Sequence, residues 1–299
     1  MSDESQDGPF DYQLFGLAVR SEFPIPELPA TTSAGEPDVA IRRGADAGGT
    51  LISIAGIADF TVSEGTTICI APAPGASPRN IRLYLLGSAM GLLLHQRGLL
   101  PLHANAVEIN GKAIAFMGAS GSGKSTLAAW FHDRGFRVVA DDVCVVRFAA
   151  DDSALVYPGL PRLRLWKEAL EASGRDAADF ARSYAGDDDW DKFDVPLEAA
   201  VAPPGSAPLA AIYLLDKGEA ARVDHLGGIE AAEAIFANTY RGRFVAEAGD
   251  PKSHWEACIR LVRTTPIFRA VRQWGHQRMD EESSRLLEHA RATIENSAA

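Results

Sequence analysis

The run Gly118-Ala119-Ser120-Gly121-Ser122-Gly123-Lys124-Ser125 has the spacing G-x-x-x-x-G-K-S of a phosphate-binding loop. Glycines at 118, 121 and 123 allow turns and a close approach that a Cβ would block. Successive backbone amides can then converge on phosphate oxygens, and the N-terminus of a following helix adds partial positive charge. In such a loop Lys124 is expected to reach the β- and γ-phosphates of ATP, and Ser125 to place its hydroxyl on Mg²⁺. Thr126, next in line, completes the set expected to contact the nucleotide. A second pair able to do chemistry is Asp141-Asp142. Of two carboxylates beside a phosphate loop, one can hold the metal and the other can accept the proton of an attacking hydroxyl. Arg162 and Arg164 alternate on one face of an extended segment and are candidates for stabilising phosphate charge, the alternative being solvent-facing arginines on an edge strand.

Elements must carry these groups to one place. Ala113–Met117 is an apolar strand candidate running into the loop, and Thr126–His132 reads as the helix after it. Leu99–Ile109 reads as another strand, joined to the first by Asn110-Gly111, a two-residue hairpin signal. That hairpin would bring His103 toward the nucleotide end of the sheet. Phe136–Ala140 is a strand that delivers the aspartates, and Val143–Phe148 is strand-like again. Downstream, the sequence predicts a buried strand at Leu209–Asp216, helices at 228–238 and 251–263, a last strand at 265–271 and a charged amphipathic helix at 280–294, a candidate cap or homo-oligomer contact. Tyr240-Arg241-Gly242-Arg243-Phe244 offers an aromatic and arginines to the site or, alternatively, ordinary surface basics.

Upstream, residues 1–9 read as disordered. Short alternating segments between Phe10 and Ile70, separated by Gly- and Pro-rich turns, predict a small β-rich unit over residues 1–78 with no catalytic constellation. Residues 79–97 read as a helix, and 79–299 as the second domain.

The chain has 299 residues and a formal net charge of −11. An acidic surface argues against general nucleic-acid or anionic-membrane binding. The three cysteines, Cys69, Cys144 and Cys258, have neither metal-ligand spacing nor a disulfide framework, which points to a reducing compartment. Nothing resembles a signal peptide, and the longest apolar run, Leu83–Leu94, is too short to span a bilayer. A soluble cytoplasmic protein is expected.

His103-Ala104-Asn105-Ala106-Val107, the loop, and Arg134-Gly135-Phe136-Arg137-Val138-Val139-Ala140-Asp141-Asp142 together resemble the kinase core of bacterial HPr kinase/phosphorylase over roughly residues 99–148. The resemblance implies an α/β fold related to phosphoenolpyruvate carboxykinase, a P-loop kinase core with the β-rich N-terminal unit appended. By the same resemblance, Asp141 would activate an acceptor serine and Asp142 would assist metal and phosphate binding. His103 would sit beside the transferring group, and Lys192 would contact phosphate. Phe136 stands where the family carries His, and the family's basic C-terminal signature has no counterpart. The chain is more similar to the kinases of lasso-peptide biosynthesis, which implies a precursor peptide, often its C-terminal serine, as acceptor. A kinase for an HPr-like protein or a small molecule, and a regulatory nucleotide-binding module without transfer, are the competing readings.

Overall fold

A computed structural model describes residues 8–32, 35–46, 48–186, 191–197, 205–273 and 275–296. The acidic run at 187–190, Pro203-Pro204 and most of the N-terminal segment expected to be disordered lie outside the described residues. The fold is mixed α/β with several sheets and divides into two compact units, 1–97 and 98–299.

The first unit contains β1 (Phe10–Leu14), β2 (Leu17–Ser21), β3 (Val39–Arg43), β4 (Thr50–Ile54), β5 (Ala58–Ser63) and β6 (Thr67–Pro72), in one sheet of order β1-β2-β3-β6-β5-β4. Alternation in these strands buries Leu14, Val19, Ile41, Phe60, Val62, Ile68 and Ile70. A continuous helical run follows: α1 (Pro78–Tyr84), a π-helical turn (Leu85–Ala89) and α2 (Met90–Gln96). Leu85, Leu86, Leu92, Leu93 and Leu94 are buried, and Gln96 bonds the Gly65 amide and the Val62 carbonyl. The run therefore groups with the N-terminal strands, and the division falls at Arg97/Gly98 instead of residue 78.

The second unit holds the candidate chemistry. In chain order it comprises β7 (Leu100–Leu102), β8 (Ala104–Ile109), β9 (Lys112–Met117), α3 (Lys124–His132), β10 (Val138–Ala140), β11 (Cys144–Phe148), β12 (Ala154–Val156), β13 (Arg162–Trp166) and α4 (Lys167–Ala172). Then come β14 (Ala181–Arg182), β15 (Lys192–Pro196), β16 (Ala207–Lys217), β17 (Arg222–Leu226), α5 (Gly228–Ala237), α6 (Arg243–Ala248), α7 (Pro251–Thr264), β18 (Ile267–Arg272) and α8 (Met279–Asn296). Nine strands form one sheet with β9, β16 and β18 parallel at its centre, and β13-β15-β14 form a separate small sheet. Ile114, Phe116, Ala211 and Tyr213 pack on one face with Leu127, Phe131 and Leu286, while Ala115, Met117 and Ile212 pack on the other with Ile235 and Leu261. The central strands are apolar on both sides because helices cover both sides.

The predicted hairpin turn is present: Asn110 and Gly111 both have positive φ, 50° and 77°, and β8 pairs antiparallel with β9. The single strand expected over Leu99–Ile109 is instead two, interrupted at His103. β7 leaves to pair with β11 while β8 pairs with β9 and β10. The break places His103 between two strand ends, free of either ladder.

Candidate functional site

β9 ends at Met117 and the chain turns through Gly118 (φ 146°), Gly121 (φ 78°) and Gly123 (φ 82°) into α3. A Cβ on Gly118 would lie 2.7 Å from the Leu215 carbonyl oxygen and 3.0 Å from Ser122 Oγ, so glycine is required there by space and by backbone together. The loop is held from outside itself. The Gly118 amide donates to Asn238 Oδ1 (3.0 Å), and the buried Arg272 guanidinium donates to the Ser122 carbonyl. From within, Lys124 Nζ donates to the carbonyls of Gly118 (2.7 Å) and Ala119 (3.2 Å). Burial lowers the Lys124 pKa, and Asp142 and Asp141 oppose that shift.

The aspartates stand at the end of β10 in different surroundings. Asp141 is buried, and both its oxygens are engaged: Oδ1 accepts from Ser125 Oγ (3.3 Å) and Oδ2 from the Arg164 amide (2.6 Å). Burial and the neighbouring Asp142 charge raise its pKa to about 6. Asp142, with φ 69°, turns its carboxylate to the opening. Its Oδ1 lies 3.3 Å from His103 Nδ1, its main-chain oxygen 3.1 Å from the same nitrogen, and its Oδ2 accepts from Arg164 Nη1 (3.2 Å). Burial alone would raise its pKa, but the His103 bond and the Arg164 guanidinium overcome it and hold the carboxyl well below the usual range. Two acceptors at Nδ1 fix the proton there and leave Nε2 as the ring's other face.

These groups meet in a cleft of about 220 Å³, lined by His103, Asn105, Ser120, Gly121, Gly123, Lys124, Ser125, Thr126, Asp142, Trp166, Glu168, Ala169 and Lys192. Of the residues expected from sequence, Lys192 reaches this cleft by the cross-strand pairing that sets it opposite Trp166, with Nζ 4.7 Å from the ring centroid. Arg162 and Arg164 do not line it and are not solvent-facing. Arg162 Nη1 pairs with Asp194 Oδ2 at 2.5 Å, and Arg164 lies between Asp142 and Asp194. They stand as partly buried counter-charges behind the aspartates. Tyr240 is buried with its ring centroid 6.2 Å from that of His103.

Two residues that frame the cleft and its loop escaped the sequence reading. Asn105 is two residues beyond His103, on the same strand face, and a polar side chain at that alternation in a run of alanine and valine was the available signal. Asn238, the residue ending α5, accepts from the Gly118 amide through Oδ1, donates to the Ala234 carbonyl through Nδ2 (2.8 Å), and accepts the His103 amide on its own carbonyl (2.7 Å). It ties the loop to His103 from 120 residues downstream, a placement no local pattern encodes.

No family model matches the chain, and no curated protein matches it. Among solved structures it is similar to the Hpr(Ser) kinase/phosphatase from Coxiella burnetii, with a TM-score of 0.33 and 12% identity, over 65% of this chain and 98% of that one. Among the described residues no helix is long and apolar enough to cross a membrane, and no His/Cys/Asp/Glu group is arranged to hold a metal by itself.

Proposed function

We propose that this protein is an ATP-dependent kinase that transfers the γ-phosphoryl group to a serine hydroxyl of a peptide, a lasso-peptide precursor being the acceptor the sequence resemblance implies. The observation that carries the proposal is the single cleft in which the glycine loop, Lys124 and Ser125 face His103 and Asp142. The loop amides and the α3 N-terminus suit a polyphosphate, and Lys124 has a third donor free to add to its two loop bonds.

A hydroxyl and a carboxylate meet at Ser125 and Asp141, a hard-oxygen donor set that fits Mg²⁺. Bound there, the metal would neutralise charge on the β- and γ-phosphates. Asp141 has no oxygen turned to an incoming alcohol. Asp142 and His103 do line the opening, with Asp142 orienting the ring so that Nε2 can take the hydroxyl proton as the oxygen attacks phosphorus. This moves the metal role from Asp142 to Asp141, and the proton-accepting role from Asp141 to His103 with Asp142 behind it. Arg164 keeps Asp142 ionised, and positioning supplies most of the rate.

The test is mass spectrometry of a serine-ending peptide incubated with Mg·ATP and the full chain. One added phosphoryl group, lost with K124M and reduced at least a hundredfold with H103Q, is the expected result. Mg·ATP binding with no transfer to peptide, HPr-like protein or small alcohol would leave the regulatory module as the better account.

A further inference from the structure

Asn105 is fully buried, yet neither Oδ1 nor Nδ2 of its side-chain amide has a hydrogen-bond partner in the protein. Burying an amide with both ends unpaired is costly, and such groups are rare away from sites that a ligand completes. The side chain lines the cleft, on β8 two residues beyond His103 and therefore on the same face of the extended chain. Its backbone is paired with Phe116 of β9, beside the stretch of β8 that β10 covers.

We propose that Asn105 is a substrate-contacting residue of the phosphotransfer site, its Nδ2 donating to a terminal oxygen of the γ-phosphoryl group. The inference rests on the kinase reading above. The chemistry of the orphaned atoms selects this partner. The amide Nδ2 carries N–H donors, and a phosphoryl oxygen is the acceptor that the loop and Lys124 would bring into the same cleft. In the step served, the alcohol oxygen bonds to the γ-phosphorus, and the bond from that phosphorus to the β,γ-bridging oxygen breaks. The electron pair leaves with ADP, and the proton departs through His103. Asn105 exchanges no proton in this scheme; it positions the phosphoryl group for attack.

The contact predicts a γ-phosphate-specific loss. Affinities of the full chain for Mg·AMP-PNP and Mg·ADP are to be measured by calorimetry for the wild type, N105A and the near-isosteric N105L, together with melting temperatures without nucleotide. The expected result is about a tenfold loss for Mg·AMP-PNP with Mg·ADP affinity within twofold of wild type, since one hydrogen bond to a charged group is removed. Ligand-free N105L should melt at or above the wild-type temperature, because an unpaired buried amide has been replaced by apolar atoms. A residue with a merely structural part would instead lower the melting temperature and weaken both nucleotides alike. Equal changes for the two nucleotides, or none, overturn the assignment, and N105A decides the matter if N105L is too large for its site. A wild-type chain that binds neither nucleotide overturns the kinase reading itself, a result distinct from any difference between the variants.

Discussion

At the scale of single residues the two adjacent aspartates are the most informative pair, because their surroundings push them in opposite directions. Asp141 has its pKa raised from 3.8 to about 6 in the folded chain. Its contribution to stability is therefore complete below the unfolded value and is lost as pH rises through about 6. Above that, keeping it ionised costs the fold about 3 kcal/mol at 1.36 kcal/mol per pKa unit. Asp142 is depressed, so its stabilisation is present above the unfolded value of 3.8 and is lost as pH falls into the acid range. Ligand-free D141N should thus melt higher than wild type at pH 8, with the gap closing between pH 6 and pH 4. D142N, which leaves Arg164 and His103 facing a neutral amide, should melt lower at pH 8. Thermal melts of the three proteins across pH 4–8 would check this, and a shift of the same sign for both variants would refute the asymmetric site. With the proposed roles, D141N should also raise the Mg²⁺ concentration needed for half-maximal turnover.

At the scale of elements, the strand–loop–helix unit was the most legible part of the sequence because its determinants are local. The loop spacing, the apolar β9 and the Asn110-Gly111 turn each act within a few residues. The expectation of uninterrupted strand through His103 failed for a nonlocal reason: β7 and β8 are drawn to different neighbours, β11 and β9, and the chain must part between them. The short strands β12, β14, β15 and β17 were not anticipated either; all four are only two to five residues long, and they exist because a partner strand completes them. Within the loop itself, the glycines differ in what they tolerate. Gly118 meets backbone oxygen at 2.7 Å, whereas a Cβ at Gly121 would enter open space and strain only the φ of 78°. G121A should therefore cost about 1 kcal/mol and keep a folded loop. G118A must displace β16 or the loop and should lose several-fold more in both stability and Mg·ATP affinity. Chemical denaturation with nucleotide titration would measure both, and equal effects would show the loop to be less tightly framed than its contacts imply.

At the scale of the whole molecule, the candidate site is built by contacts between segments far apart in sequence. The glycine loop supplies one wall, but the facing wall of Trp166, Glu168, Ala169 and Lys192 comes from a separate small sheet and α4. Arg272 and Asn238 reach the loop from 150 and 120 residues away. Sequence spacing could name Lys124 and the aspartates; it could not show that Arg162 and Arg164 turn inward to Asp194 and Asp142, since that depends on which strands pair. The division at Arg97/Gly98 gives a final prediction. Ligand binding stabilises only what folds to make the contacts, by about 2.7 kcal/mol at a ligand concentration a hundred times Kd. For a unit of this size that corresponds to a rise of roughly 5–10 °C in its own melting transition. All cleft residues belong to 98–299, so Mg·ATP should slow amide exchange in β8, the loop and the first turn of α3. Exchange in β1 to β6 should be unchanged, because no residue there lines the cleft. Exchange mass spectrometry with and without Mg·ATP reads both units in one experiment. Slowing confined to β1–β6, or absent from the loop, would place nucleotide binding elsewhere and remove the physical basis for a kinase.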